Sequence, residues 1–335
     1  MDTTQKKAPS QARRSCLLAF GALAAASALP ARAQDYPTRP IRWIVPYAPG
    51  ATTDNIARII AEYLSEAVEQ PIIVDNRTGG ASTIGIRGLL NAPSDGYTLA
   101  LADDATLYNN WHLFPELPYS QDSFAYVAML GRSPLVLFVD PSNGLKTFDE
   151  FIQWAKANTG KVNYATPGIA TPHHLGMAAL DEHFQLDMQS IHYKGSAAAI
   201  TDTIAGRVQV LLAGSSGFAM QHANEGRIAP LAVSSPERLA WMPTVPSLKE
   251  VGFDSFDMTA DLGVIMHKDT PTEITQRLGR EINAILERPE VRERLQNIGV
   301  LSTPLSQADF EAHVRTRSAA AGDLIRRAKI QLGNS

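Results

Sequence analysis

A chain of 335 residues, 44% hydrophobic and 19% charged, is long enough for two domains with sizeable cores at roughly 100–200 residues each. Its one cysteine excludes a disulfide scaffold and any Cys-based zinc module, and a net charge of −4 without a basic block argues against nucleic acid as a partner. Beyond the N-terminal region, no apolar run is long enough to span a bilayer.

In chain order, residues 1–33 come first, with the grammar of an export signal. Lys6, Lys7, Arg13 and Arg14 precede an apolar run from Cys16 to Leu29, and Ala31-Arg32-Ala33 is a small-x-small cleavage site. Cleavage after Ala33 makes Gln34 the mature N-terminus. It leaves 25 basic and 33 acidic residues, a net of −8, and no cysteine, which suits an oxidising compartment.

The mature chain alternates short β-branched runs with amphipathic helices. Ile41–Tyr47 reads as a buried strand, and Ile56, Ile59, Ile60, Tyr63, Leu64, Ala67 and Val68 fall on one face of the helix that follows. Pro71–Asp75 is a second strand, Ser82–Asn91 a helix and Tyr97–Ala102 a third strand. The alternation continues through Leu135–Val139, Phe148–Ala157, Val162–Thr166, Pro172–Phe184, Ser190–Tyr193, Ala197–Ala205, Val208–Leu212 and Ile228–Val233. A Pro-rich loop, 234–250, leads to a last strand at Met258–Met266, and everything after Pro271 reads as helix. Strand, helix, strand in this order predicts βαβ units and parallel sheets. Without a linker, two α/β lobes imply a chain that crosses between them more than once, near Phe124–Leu130 and Phe256–Gly263. The expected division is 34–130 plus 258–335 for one lobe and 131–257 for the other. The cleft between them lies at strand C-terminal ends, where open α/β sheets bind ligands.

Two strand-to-helix junctions carry the clearest chemistry. Tyr47, Ala48, Pro49, Gly50, Ala51, Thr52 and Thr53 join the first strand to its helix. Small residues allow close backbone approach, Thr52, Thr53 and Asp54 suit an N-cap, and a helix start favours an anion; an ordinary capped turn has the same residues. Thr166, Gly168, Ala170 and Thr171 repeat the pattern, with Thr171 at the N-cap and Pro172 in the first turn. Two such helix starts facing one cleft suit a small carboxylate. Asp103 and Asp104 follow a strand at the cleft-facing end, where Asp104 would favour a ligand carrying a hydrogen-bond donor. Ala213-Gly214-Ser215-Ser216-Gly217 imitates a nucleophile elbow, with Asp257 or Asp261 and His267 as triad partners. It gives a second reading, a secreted α/β hydrolase. His173, His174, His183 and His192 lack metal-ligand spacing, and neither metal nor cofactor is expected.

As a set, the motifs are more specific. Tyr36-Pro37-Thr38-Arg39-Pro40-Ile41, Val45-Pro46-Tyr47-Ala48-Pro49-Gly50, Asp75-Asn76-Arg77, Ala92-Pro93-Ser94-Asp95-Gly96-Tyr97, Leu117-Pro118-Tyr119, Tyr193-Lys194-Gly195, Met242-Pro243-Thr244-Val245-Pro246 and Pro289-Glu290-Val291-Arg292 occur in this order. Essentially end to end, the mature chain resembles the Bug family of receptors of tripartite tricarboxylate transporters. The resemblance implies a periplasmic, non-catalytic, monomeric receptor of the type II periplasmic-binding-protein fold. Two Rossmann-like lobes would close by a hinge on a small organic acid, for delivery to membrane permease subunits or presentation to a sensor. Departures from the family pattern fall at Ala51 (usually Gly), at Pro167 and Ala170 in the second loop, at Ala213 (often Asp) and at Asp103-Asp104 (often Gly-Ser).

Overall fold

The computed structural model describes residues 36–331 except Ala170, Lys194 and Ser216; the expected export signal and cleavage site lie outside the described residues. Its strands form two mixed sheets, one of six strands in the order β11-β4-β10-β3-β1-β2 and one of five in the order β7-β6-β8-β5-β9.

The first sheet is built from β1 (Ile41–Val45), β2 (Ile72–Asn76), β3 (Thr98–Asp103), β4 (Phe124–Ser133), β10 (Ala260–His267) and β11 (Leu301–Ser302). β1 runs parallel to β2 and β3, joined through the helices α1 (Thr52–Ala67) and α2 (Thr83–Leu90). α1 follows from its apolar spacing: Ile56, Ile60 and Leu64 are fully buried, each worth about 1.5–3 kcal/mol relative to exposure. Past β3 the chain makes a π-helical turn, Ala105–Asn109, and a short helix, α3 (Asn110–Leu113).

The second sheet holds β5 (Leu135–Val139), β6 (Asn163–Thr166), β7 (Gln189–His192), β8 (Val210–Gly214) and β9 (Ala229–Val233). Between them lie α4 (Phe148–Ala157), α5 (Pro172–Phe184), α6 (Ser196–Ile204) and α7 (Gly217–Asn224); α8 (Thr272–Leu286), α9 (Pro289–Asn297) and α10 (Gln307–Arg327) complete the chain after β10.

Two expectations are corrected. The sheets are not purely parallel: β10 lies antiparallel to both β3 and β4, and β5 antiparallel to β8 and β9. The exceptions are the strands at the crossings. Only Pro134 separates β4 from β5, and no helix separates β9 from β10. A parallel neighbour needs a crossover that brings the chain back to the same end of the sheet, and a strand arriving from the other sheet has none. Nor is everything after Pro271 helical, because β11 pairs with β4 through Leu301 and Ser302. Two residues are too few to show alternation. Close packing explains the pairing, since Gly131 of β4 lies so near the Leu301 carbonyl that an added Cβ would clash at 2.5 Å.

Candidate functional site

A cavity of about 870 Å³ opens between elements of the two sheets. From the first sheet's side come Tyr47, Gly50–Thr53, Asp103 and Asp104; from the second come Thr171, His173, Gly195–Ala197 and Gly214–Ala219 except the two serines between. Ser133 and Leu135, on either side of the crossing residue Pro134, line it as well.

The first junction is held open by its own side chains. Gly50 has φ 84°, a left-handed turn that an L residue enters only with strain, and it reverses the chain into α1. Ala51 occupies the N-cap position with extended backbone (φ −66°), so a methyl group there is unstrained, and no side chain caps the helix. The expectation that Thr52, Thr53 or Asp54 would be the cap is therefore corrected. Instead Asp54, 2% exposed, reaches back to accept the Gly50 N–H at 2.9 Å. Arg58 and Asn76 also donate to it, each at 2.9 Å, and Asn76 donates to the Tyr47 carbonyl at 3.0 Å. Burial alone would raise the Asp54 carboxyl, but the bonds from Arg58, Gly50 and Asn76 outweigh it and hold it below its ordinary value. The carboxylate is thus fully occupied away from the helix axis. The N–H groups of Thr52, Thr53 and Asp54 have no side-chain cap, at the end of the dipole that favours an anion.

The second junction is stitched shut. Thr171 does cap α5, its Oγ1 accepting the His174 N–H at 3.3 Å and donating to the Gly168 carbonyl at 2.9 Å. Thr166 Oγ1 donates to the same carbonyl at 2.9 Å and accepts the Gly168 N–H at 3.1 Å. Pro172 has no N–H and that of His174 is taken, which leaves His173 in the first turn. Burial lowers His173 to about 4, and burial with the neighbouring His192 lowers His174 to about 4, so both rings are neutral at pH 7.

Three polar atoms at or beside the cavity are buried without a partner among the described residues: Thr53 Oγ1, His173 Nδ1 and Ser215 Oγ. A buried polar atom left unpaired costs about 1–3 kcal/mol, and such groups persist where a ligand or water completes them.

Of the residues expected at the site, Tyr47, Gly50, Ala51, Thr52, Thr53, Asp104 and Thr171 line the cavity together. Ala48 and Pro49 are exposed at the tip of the first loop and do not line it. Thr166 is fully buried beneath the second loop, Gly168 lies off the wall, and Ala170 lies outside the described residues. Ala213 is 1% exposed within an apolar cluster with Val136 and Phe138, while its neighbour Gly214 faces the cavity. Sequence reasoning missed the starts of α6 and α7, although each repeats the strand–Gly–helix grammar: Gly195 (φ 108°) opens α6 without a side-chain cap, and Gly217 begins α7.

At the floor, next to the crossings, is a network of charge. Asp261 of β10, fully buried, accepts from Arg132 Nε at 2.8 Å, from His313 Nε2 at 2.6 Å and from Tyr108 Oη at 2.9 Å. Arg317 lies 3.5 Å from Asp261 and 3.1 Å from Asp257, which Arg132 also bonds. Burial would raise Asp261, but His313, Arg317 and Arg132 hold it well below its ordinary value. No triad forms among the described residues: Asp257 and Asp261 are both engaged by Arg132 and Arg317, His267 lies against Asp269, and Ser215 Oγ bonds none of them.

The tripartite tricarboxylate transporter family receptor pattern matches residues 56–330. BugT of Bordetella pertussis (strain Tohama I) is 34% identical over 294 residues, spanning 85% of this chain and 89% of that protein. The chain belongs to this receptor family. Among solved structures, an R. palustris protein with adipate is similar at 26% identity and TM-score 0.79, covering 88% of this chain and 99% of that one. The periplasmic binding protein BugD is similar at 25% identity and TM-score 0.75, with the same coverage. As a Bug-family solute-binding receptor, the chain has the fold that the resemblance implied, two α/β halves with the strand C-terminal ends turned toward a shared cleft.

Proposed function

We propose that this receptor captures a small organic carboxylate between the starts of α1 and α5 and delivers it to the membrane subunits of a tripartite tricarboxylate transporter. The observation that carries the reading is the uncapped start of α1, with free N–H groups at Thr52–Asp54 and the unpartnered Thr53 Oγ1 beside them. His173 Nδ1 and the His173 N–H meet it from the other side of the cavity. The likeness to a protein solved with adipate supports a carboxylate as the ligand class. The two halves are the bodies that close, hinged at Pro134 and before β10, and the first boundary, expected between 130 and 131, moves to Pro134 because β4 runs to Ser133 in the first sheet. The receptor acts as a monomer without catalysis, in the periplasm after cleavage behind Ala33.

A thermal-shift screen of mature protein with mono- and dicarboxylates, hydroxy acids and amino acids tests the reading. At about 100 times its dissociation constant a ligand adds ~2.7 kcal/mol, a rise of roughly 5–10 °C for a protein this size. No shift with any acid would sink it. A serine-directed covalent probe should leave Ser215 unlabelled.

A further inference from the structure

The acids of the cavity deepen the ligand class, on the reading that a carboxylate sits at α1. Among the described residues that line the cavity, the charged side chains are Asp103 and Asp104; none is Arg or Lys. The wall on the first sheet's side therefore carries both donors, the start of α1, and acids, Asp103 and Asp104, which follow the adjacent strand β3.

The chemistry of those acceptors follows from counting protons. Tyr108 Oη is hydrogen-bonded to Asp104 and, at 2.9 Å, to Asp261. One hydroxyl proton cannot serve two carboxylates, so one of the acids keeps its own. Asp261 is encircled by Arg132, Arg317 and His313, which favour its charged form. Asp104, 2% exposed, is 3.9 Å from Arg317. Burial and the Asp261 charge push it well above its ordinary value. Asp104 is thus a neutral acid that donates to Tyr108, which donates to Asp261. Its proton is spent inward, its oxygens also accept the Asp261 N–H at 3.3 Å, and what it can offer a ligand is a lone pair. Asp103 accepts from Tyr47 Oη, itself steadied by Ser82 Oγ at 3.0 Å, and from the Thr106 N–H at 3.4 Å. It too presents only acceptors.

We infer that Asp103 and Asp104 make this receptor select monocarboxylates that carry a hydroxyl, amide or ammonium donor and reject dicarboxylates. A second ligand carboxylate beside Asp103 and Asp104 would meet carboxyl oxygens, with Arg317 already engaged by Asp257 and Asp261 and no Arg or Lys among the described lining residues. Two like charges about 4 Å apart at an effective dielectric of about 20 repel by an amount worth nearly a thousandfold in affinity. A ligand hydroxyl or ammonium would instead donate to the same oxygens.

The test is isothermal titration of the mature protein with matched series of one chain length: butyrate, 4-hydroxybutyrate, 4-aminobutyrate and succinate, then hexanoate, 6-hydroxyhexanoate, 6-aminohexanoate and adipate. In the series that binds, the hydroxy or amino acid is expected to bind at least about tenfold tighter than the dicarboxylate. Asp103→Asn should narrow that ratio by about tenfold. A dicarboxylate that binds the wild-type protein as tightly as its donor-bearing partner overturns the inference and leaves the carboxylate reading intact. A silent panel removes both. The wild-type ratio needs no variant to fold, so a misfolded Asp103→Asn leaves the test standing.

Discussion

The starts of α1 and α5 look alike in sequence and differ in what they leave free. Both follow a strand through a short loop of small residues, and both open on the same cavity. At α5 the side chains of Thr166 and Thr171 satisfy the loop and the first turn from within, and Pro172 removes a further donor. At α1 no side chain caps the first turn, and Asp54, the acid within it, holds Gly50 and is itself held by Arg58 and Asn76. The first turn's N–H groups stay unclaimed. The difference teaches that a helix start is open to an anion only where its first-turn N–H groups are left uncapped.

The largest test of this contrast is to close the open end. Ala51→Asp puts a carboxylate at the N-cap of α1, where it should stabilise the helix by about 1 kcal/mol. The same charge, about 4 Å from a bound carboxylate at an effective dielectric of about 20, costs ~4 kcal/mol of binding, nearly a thousandfold. Melting temperature up and affinity lost, read by circular dichroism and titration calorimetry, is the expected pair. Retained affinity would show that the ligand does not use this helix start.

Next in size is pH. His173 and His174, both lowered to about 4 by burial, are neutral in the folded protein and take up protons first in the unfolded chain. Their contribution is fully present above about pH 6.5 and is lost as pH falls toward 4, by about 3 kcal/mol for each ring. Asp54 at the other junction is lowered, so its contribution is present above about pH 3.8 and is lost as pH falls further. Melting curves against pH should therefore fall in two phases. His174→Gln should flatten the first and spare the second; a single phase, or one that His174→Gln does not move, contradicts the assignment.

The smallest effect is at the closed end. Thr171→Ala removes the α5 cap and should cost about 1 kcal/mol of stability. Ligand affinity should change less than about tenfold, because the hydroxyl spends its bonds on Gly168 and His174. A loss comparable to that of Ala51→Asp would mean the two ends share the ligand equally.

Local features were legible in the sequence and pairings were not. The apolar spacing of Ile56, Ile60 and Leu64 placed α1, and Thr171-Pro172 placed the start of α5 to the residue. The antiparallel entry of β10 between β3 and β4 was hidden, because strand direction is decided by where the chain returns from. Within the site, the motif around Tyr47 pointed to the cavity, but a strand alternates faces at every residue, and Ala213 and Gly214 differ by one. Asn76 and Asp54 left no sign of their joint role, which depends on bonds across the end of the β1–β2 pair. The Asp104–Tyr108–Asp261 chain joins residues more than 150 positions apart, beyond any spacing rule.

The most direct test of the account is a crystal structure of the mature protein with its tightest-binding acid. The account predicts a carboxylate in the cavity with oxygens within about 3 Å of the backbone N–H groups of Thr52–Asp54, and the rest of the ligand directed toward Asp103 and Asp104. A carboxylate seated away from the start of α1, or a ligand bound outside the cavity, would contradict it.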